Sequence, residues 1–326
     1  MTMIKVAVHR LLTLIPLLLA VAFFAFLLVR MAPGNYLSEL SLNQQISEET
    51  IATLQRQYAL DRPWYVQFAR WCAQAIKGDL GYSIAHHSPV TSLLADPLLN
   101  TLLLTTAGLL LALLVAVPLG VITAGAMRPW LDRGFDFITS TTLALPAFLW
   151  ALLALLLSAR TGWFPVGGVH SLDYESFSLT GRVSDSLHHL ILPAAVVALR
   201  QVPSYLRQLH AGLREILAEE YMLVARAKGL SETSILLRHA LRNALNPIIT
   251  MFGQSIGSLL SGAFVVEVIM SWPGIGRLAV SSLMGRDLNV LVACLLCAAV
   301  MLALGNLLAD LLLAVADPRI RRPQRL

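Results

Sequence analysis

The stretch "EEYMLVARAKGLSETSILLRHALRNALNP", Glu219 to Pro247, decides what kind of protein this is, because it is basic and lies between two apolar segments. Its pattern predicts two short helices joined at a glycine. A helix that ends at Lys228 with Gly229 just beyond it fits a left-handed C-terminal cap, and Ser231 suits the N-cap of the next helix. Taken alone, these residues fit two uses equally well: docking into a partner's groove, or lying on anionic lipid as an amphipathic helix.

The composition places the chain among membrane proteins. Of its 326 residues, 57% are hydrophobic and only 13% are charged, whereas a soluble domain carries about 25% charged residues. The net charge of +5 gives little support to nucleic-acid binding. Cys294 and Cys297 have CxxC spacing within an apolar helix, which favours packing over metal or redox chemistry. The sequence contains no G-x-x-x-x-G-K-[ST] motif, so it has no P-loop with which to bind ATP itself.

Six apolar segments are long enough to cross about 30 Å of hydrocarbon. They are roughly Leu11–Val29, Leu98–Ala124, Phe137–Ser158, Leu190–Leu209, Ile248–Met270 and Val290–Ala316. The first is predicted to be an uncleaved anchor, because no A-x-A cleavage pattern follows it. Fourteen of the 24 Lys and Arg residues fall in short segments on one side. By the positive-inside rule both termini are therefore predicted to be cytoplasmic, and so is the opening stretch.

The spans divide the chain into four predicted parts. Residues 1–30 form a cytoplasmic N-terminus and the first transmembrane helix, and residues 31–97 form a periplasmic helical segment. Residues 98–316 form a core of five transmembrane helices with a cytoplasmic coupling loop at about 210–246, and residues 317–326 form a cytoplasmic tail. Two amphipathic patterns split at Asp61-Arg62-Pro63, and a turn-rich segment at 159–188, are expected to be ordered caps on the outer face.

The opening stretch resembles the "EAA" cytoplasmic loop of the permease subunits of ABC importers, which inserts a coupling helix into a cleft of the ATPase subunit. More closely, "ARAKGLS…LLRHALRNALNP" is similar to the dipeptide/oligopeptide/nickel permease family. Other marks of that family follow in order: "LDRPWYVQFARW" and "KGDLGYS" (60–83), "HHLILPA" (188–194), "SWPGIGRL" (271–278) and "DPRIRR" (317–322). Leu223 and Val224 stand where the broader EAA consensus has Glu and Ala, and Arg242 replaces its proline, which leaves the contacting residues open.

The resemblance implies an all-α polytopic membrane protein with about six transmembrane helices and a cytoplasmic coupling-helix loop, the type I ABC importer permease fold. It implies a non-catalytic subunit of the bacterial cytoplasmic (inner) membrane that forms half of a translocation pathway for peptides or related small polar solutes. No cofactor, metal or catalytic residue is expected on this chain, while ATP and Mg are expected on partner subunits. The implied partners are a homologous second permease in a heterodimer, two ATPase subunits, a periplasmic or lipid-anchored substrate-binding protein and membrane lipid. Nickel or metal-chelate uptake and small-solute export are the alternatives.

The resemblance also assigns candidate residues. The ATPase-docking candidates in the coupling loop are Glu220, Ala225, Arg226, Ala227, Lys228, Gly229 and Arg238. The translocation-path candidates are Arg200, Trp272, Pro273 and Gly274. Arg200 is a candidate because a charge inside a span is costly. Pro273 and Gly274 break the fifth span, and Trp272 suits a membrane–water boundary. A short re-entrant helix is expected there by resemblance, with a plain interfacial turn as the alternative.

Functions of other classes find less support in the residues. An intramembrane enzyme would need paired aspartates, or a serine with a histidine, within the spans, and only Asp310 is a candidate aspartate there. Asp310 and Glu267 lie near span ends, which favours structural roles for both. The pairs His86-His87 and His188-His189 are poor chelates, since adjacent side chains point in different directions. A receptor or assembly scaffold would not need a docking loop of this signature.

Overall fold

The computed structural model describes residues 3–31, 62–83, 85–126 and 129–316. Within these ranges the chain is built almost wholly of helices: α1 (Met3–Met31), α2 (Trp64–Ala75), α3 (Val90–Ala126), α4 (Pro129–Ala144), α5 (Ala147–Thr161), α6 (Leu179–Leu217), α7 (Glu220–Ala227), α8 (Glu232–Ser234), α9 (Leu241–Ile269), α10 (Ile275–Met284) and α11 (Leu288–Ala316). A 3-10 turn covers Tyr174–Ser176, and a π-helical turn covers Ile235–Ala240. Strands β1 (Tyr82–Ser83) and β2 (Ser88–Pro89) form one antiparallel hairpin. The prediction of an all-α polytopic membrane protein is confirmed.

Five of the six predicted spans fall within single helices, namely α1, α3, α6, α9 and α11. Two helical stretches, Val90–Gly125 and Leu288–Leu308, are each long and apolar enough to cross a membrane within the described part of the chain. A third crossing follows if the bent pair α4–α5 counts as one span. The count of six spans therefore stays a prediction. α3 begins at Val90, inside the segment predicted to be periplasmic, and the domain boundaries likewise stay predictions.

The third predicted span, Phe137–Ser158, is observed as two helices that meet at a sharp bend, so a single crossing by this segment stays a prediction. α4 ends at Ala144, α5 begins at Ala147, and the two helical axes differ by 97°. The cause is Pro146, which has extended backbone angles (φ −61°, ψ 147°) and acts as the N-cap of α5. A proline disfavours helical geometry in the residue before it, so a helix ends there readily even when both sides are apolar.

The described chain divides into two compact units, each with its own core. Among the described residues, those within Met1–Arg10, Leu102–Trp272 and Leu302–Leu326 form the first unit, and those within Leu11–Thr101 and Pro273–Met301 form the second. In the first unit, α3 presents small buried residues at every fourth position, so that they share one face: Gly108, Ala112, Ala116, Gly120 and Ala124. A Cβ atom at Gly108 would lie 2.4 Å from Cγ1 of Val197 in α6. The two helices therefore approach each other closely at this point, as small residues allow in membrane proteins.

In the second unit, the hairpin is fastened to the start of α11. The hydroxyl of Ser83 donates a hydrogen bond of 2.6 Å to the carboxylate of Asp287, and both residues are buried. Nδ2 of Asn289 donates to the backbone carbonyl of Tyr82 at 2.9 Å. The second predicted amphipathic pattern of the outer segment is observed as α2, whereas the first lies outside the described residues, as does the tail 317–326. The backbone of Asp310 is helical, but its side chain lies outside the described residues.

The turn-rich segment 159–188 is ordered by its own polar side chains. The Asp185 carboxylate accepts hydrogen bonds from the backbone N–H and the hydroxyl of Ser171 at 2.9 and 2.5 Å. These bonds, the side-chain one foremost, hold the pKa of Asp185 below its usual value. The His170 ring stacks on Tyr174 at a centroid distance of 4.2 Å, and the Arg182 guanidinium lies 5.4 Å from the centre of the same tyrosine ring. The expectation of order in this segment is met by these contacts.

Candidate functional site

The turn after α7 adopts the left-handed glycine cap that the sequence predicts. Lys228 is the C-cap residue, and Gly229 has φ +77°. The N–H of Gly229 donates to the carbonyl of Arg226 at 2.9 Å, and the N–H of Leu230 donates to the carbonyl of Ala225 at 3.3 Å. These two bonds form a Schellman motif, which satisfies carbonyls that would otherwise lack partners at the helix end. The turn is therefore a defined structure rather than a loose connection.

The chain re-enters helical structure at Ser231, as predicted. The hydroxyl of Ser231 accepts a hydrogen bond of 3.3 Å from the N–H of Ser234, so it is the N-cap of α8. The following turn, Ile235–Ala240, is π-helical and leads directly into α9. A π-helical turn inserts a residue into the helical register, and such turns are frequent at functional sites. The residue pattern alone gives no signal for it.

One ion pair closes the turn and was not predicted. Nε of Arg226 lies 2.9 Å from Oε1 of Glu232, and Nη2 lies 3.4 Å from Oε2. The hydrogen bond to Glu232 is the main cause of a raised pKa for the Arg226 guanidinium. Both side chains are partly exposed, so solvent screens the attraction between them. Arg226 thus holds α7 against α8, and its predicted contact with an ATPase stays a prediction.

The segment from α7 through the π-helical turn, Glu220–Ala240, is called the coupling turn. Its inner face is buried in the core of the first unit. Met222 of α7 and Ile235 of the π-helical turn have no exposed surface, and they pack in one cluster with Leu213 and Leu217 of α6 and with Ala124 of α3. Burial of a side chain of this size stabilises the structure by about 1.5–3 kcal/mol. The turn is consequently anchored to the end of α6, and it continues without interruption into α9.

The outer face of the turn exposes apolar and basic side chains together. We define the outer face by its exposed residues: Tyr221, Leu223, Val224, Ala227, Lys228, Gly229, Leu230, Leu237 and Arg238. Leu223 is 60% exposed and Val224 is 54% exposed. A surface that only contacts water has no need of apolar side chains. Contiguous exposed apolar side chains rimmed by polar ones mark interaction sites. The candidates Glu220, Ala225 and Arg226 flank this face, Glu220 exposed and the other two partly buried.

Replacing Gly229 by alanine is expected to strain this turn without a clash. A non-glycine residue in the left-handed region costs about 1 kcal/mol, and no atom lies within 4 Å of the added Cβ. We expect lower thermal stability of the loop region and reduced ATP-dependent uptake in vesicles. Gly134→Ala is the matched control, because Gly134 is helical, also has no atom within 4 Å and does not have positive φ. Equal uptake by the two variants would show that the left-handed turn is dispensable.

A second polar group joins α4 to α6 near the same end of α6. Oδ2 of Asp132 lies 2.7 Å from Nη2 of Arg214, and its Oδ1 lies 3.4 Å from Nε2 of His210. Arg207 lies earlier in α6, and its guanidinium donates to the hydroxyls of Thr139 and Ser140 at 3.0 and 2.7 Å. These contacts fasten the first half of the bent pair to the helix that leads into the coupling turn.

The translocation-path candidates occupy different environments. Arg200 is exposed on α6, whereas Trp272 has no exposed surface and lies in the core of the first unit. The placement of Trp272 at a membrane–water boundary stays a prediction; its ring packs in the core of the first unit. Pro273 and Gly274 form the turn before α10, and the carbonyl of Pro273 accepts a 3.0 Å hydrogen bond from Nδ2 of Asn100. The expected short helix is present as α10, but whether it is re-entrant stays a prediction.

The histidines and cysteines have local contacts. Nε2 of His188 lies 2.7 Å from the carbonyl of Trp163, and Nδ1 of His189 lies 2.9 Å from the carbonyl of Asp185. Across the ranges that the structure describes, no three His, Cys, Asp or Glu side chains are placed to hold a metal ion. Cys294 and Cys297 are both free thiols, the first buried and the second partly so.

Two related protein families match most of the chain. The family described as "Binding-protein-dependent transport system inner membrane component" matches residues 116–322, and the corresponding N-terminal family matches residues 3–105. The chain is similar to the oligopeptide transport system permease protein AppB of Bacillus subtilis (39% identity, covering 96% of this chain and 98% of that protein). It is also similar to a putative peptide permease protein of Brucella suis biovar 1 (35% identity, 98% and 99%). A third relative is the glutathione transport system permease protein GsiC of Escherichia coli O6:H1 (36% identity, 98% and 99%).

Proposed function

The chain belongs to the family of binding-protein-dependent transport system inner membrane components, and from this premise we propose that it forms half of the translocation pathway of a peptide-importing ABC transporter. Membership makes it a non-catalytic, multi-pass permease subunit of the inner membrane that works with other transporter subunits. The proposed substrate class rests on three relatives whose names specify oligopeptide, peptide and glutathione transport. The comparisons do not favour nickel-chelate uptake or export over this function.

One observation carries the docking part of the proposal, namely the two-sided construction of the coupling turn. Its inner face is fixed to α6 through Met222 and Ile235, while its outer face exposes Leu223 and Val224. A rigid element with an unsatisfied apolar surface is suited to fill a groove in a partner. The proposed contacts are the outer face and the flanking candidates Glu220, Ala225 and Arg226.

The proposed assembly contains a homologous second permease, two ATPase subunits and an external substrate-binding protein. ATP and Mg are bound by the ATPase subunits, and this chain binds no cofactor. Because α7 is fixed to α6 and the π-helical turn runs into α9, a push on the outer face moves two predicted spans together. Such a lever lets ATP binding bias the balance between inward-open and outward-open states. We propose that both termini and the coupling turn lie on the cytoplasmic side.

The orientation is tested with single cysteines in a chain whose three native cysteines are replaced. Thr233 and His170 are both exposed, whereas Ile235 is buried and unsuitable for labelling. In intact cells, an impermeant thiol reagent is expected to label His170→Cys and to spare Thr233→Cys until the membrane is opened. The reverse pattern would overturn the proposed orientation.

The transport function is tested by reconstitution. Vesicles that contain the second permease, the ATPase subunits and this chain, with the binding protein supplied outside, are expected to accumulate a labelled peptide when ATP is available to the ATPase. Vesicles prepared without this chain should show no such uptake. Equal uptake in both preparations would reject the proposal.

A further inference from the structure

The second half of α6 has one polar face. Arg200, Ser204 and Gln208 follow at four-residue spacing and so lie on one side of the helix. Arg200 and Gln208 are exposed, and Ser204 is partly buried. The opposite side of the same stretch is apolar and almost fully buried in the two cores of the first unit: Tyr205, Leu206, Leu209 and Leu213. The polar face therefore lies opposite the two cores, although Arg207, seven residues from Arg200 and on nearly the same side of α6, contacts α4.

Arg200 lies at the centre of the predicted span Leu190–Leu209, about 15 Å along the helix axis from either end. A charge at this depth costs about 2.5–3.5 kcal/mol on insertion scales, and such residues face a water-filled cavity or a partner. Among the residues described, Arg200 makes no hydrogen bond or ion pair. The arginine must obtain its partners from water or from another molecule.

Two other arginines on α6 have polar partners within the chain. Arg214 is paired with the carboxylate of Asp132 at 2.7 Å, and Arg207 donates to the hydroxyls of Thr139 and Ser140. The chain thus supplies partners for both arginines near the end of the helix. Within the described ranges it supplies none for Arg200, at the centre of the predicted span.

α9 packs against α6 and has a similar face. Asn246 and Gln254 are exposed and Thr250 is partly buried, again at four-residue spacing. Gln254 lies inside the predicted span Ile248–Met270. Polar side chains on two adjacent spanning helices are costly against lipid, so they indicate contact with water.

We propose that Arg200 binds the carboxylate group of the transported solute on a water-filled path along α6. The planar guanidinium presents paired N–H donors that match the two oxygens of a carboxylate, and this geometry favours arginine over lysine. The inference rests on the proposed function, because every peptide has a terminal carboxylate unless it is blocked. Ser204 and Gln208 continue the polar face from Arg200 toward the coupling turn.

The first test compares a peptide that has a free terminal carboxylate with the same peptide as its amide, each supplied with the binding protein to the assembled transporter in vesicles. Wild type is expected to move the acid at least several-fold faster than the amide. Arg200→Gln is expected to slow the acid about tenfold and to leave the amide rate unchanged. Arg200→Lys should retain part of the preference. Arg207→Gln, which alters an arginine with hydroxyl partners in this chain, is the matched control and should keep the preference.

The second test reports on the path without requiring a known substrate. In the assembled transporter with its native cysteines replaced, Arg200→Cys is expected to react with a water-soluble thiol reagent. Absence of labelling, or an equal loss of acid and amide transport in Arg200→Gln, would overturn the proposal. If the purified complex that carries Arg200→Gln has lost its second permease, the proposal is also overturned, and Arg200 is assigned to the subunit interface. If the wild-type transporter moves neither peptide while position 200 is labelled, both the proposed peptide transport and the carboxylate-binding role of Arg200 are rejected. The labelling would then support only the water-filled path along α6.

Discussion

Replacing Leu223 and Val224 together by aspartate is expected to abolish binding of the ATPase subunit to the permease while leaving the permease folded. The two side chains are 60% and 54% exposed, so neither supports the core. In a docked complex they would be desolvated, and burying two unpaired carboxylates costs several kcal/mol. Each 1.4 kcal/mol weakens binding tenfold, so we expect the dissociation constant to rise at least about a hundredfold. The measurement is titration of ATPase subunit onto purified permease in lipid nanodiscs.

The control for this variant changes two more exposed leucines elsewhere. Leu172 and Leu179 lie on the segment predicted to face outward and are 104% and 82% exposed. Leu172→Asp combined with Leu179→Asp adds the same charge to the chain and should leave ATPase binding as in wild type. Full ATPase binding by the Leu223/Val224 variant would show that the outer face is not the docking surface.

Replacing Gly108 by alanine is expected to cause the largest loss of stability among the glycine variants considered. The added Cβ would lie 2.4 Å from Cγ1 and 2.7 Å from Cβ of Val197, far inside van der Waals contact. Forcing one extra carbon into a packed core costs about 1–3 kcal/mol, because α3 and α6 must move apart. Thermal unfolding of the purified permease should show a lower midpoint than wild type.

The matched control is again Gly134→Ala, in which the added carbon meets no atom within 4 Å. In a helix, alanine is favoured over glycine by up to about 1 kcal/mol, so this variant should be as stable as wild type or slightly more so. If Gly108→Ala unfolds at the same temperature as Gly134→Ala, the helices are not held at the close distance described above.

The local features that follow from backbone chemistry were predictable from the sequence. Gly229 is left-handed because the helix before it needs a cap that residues with a Cβ rarely provide. Ser231 caps the next helix because its hydroxyl reaches the N–H of Ser234. The apolar segments predicted helices over nearly all their lengths, since hydrocarbon requires every backbone polar group to be bonded within the segment.

Features that depend on tertiary packing were not predictable in this way. The break at Pro146 interrupts a segment whose apolar composition is continuous on both sides, so composition alone predicted one span. Trp272 is a typical boundary residue by type, and nothing in the sequence indicated that its whole side chain is buried in the core of the first unit. The pairing of Arg226 with Glu232 depends on the turn bringing the ends of α7 and α8 together. The sequence analysis assigned Arg226 to ATPase docking and gave it no partner within the chain.

The close approach of α3 and α6 also limits how this protein can evolve. Every replacement of Gly108 adds at least one carbon atom, so no single substitution at this position avoids the clash while Val197 keeps its side chain. Shortening Val197 to alanine would remove the contact at 2.4 Å but leave the Cβ atom at 2.7 Å. The two positions are therefore constrained as a pair. Homologues that carry a larger residue at one of them should carry a compensating glycine at the other or a displaced helix.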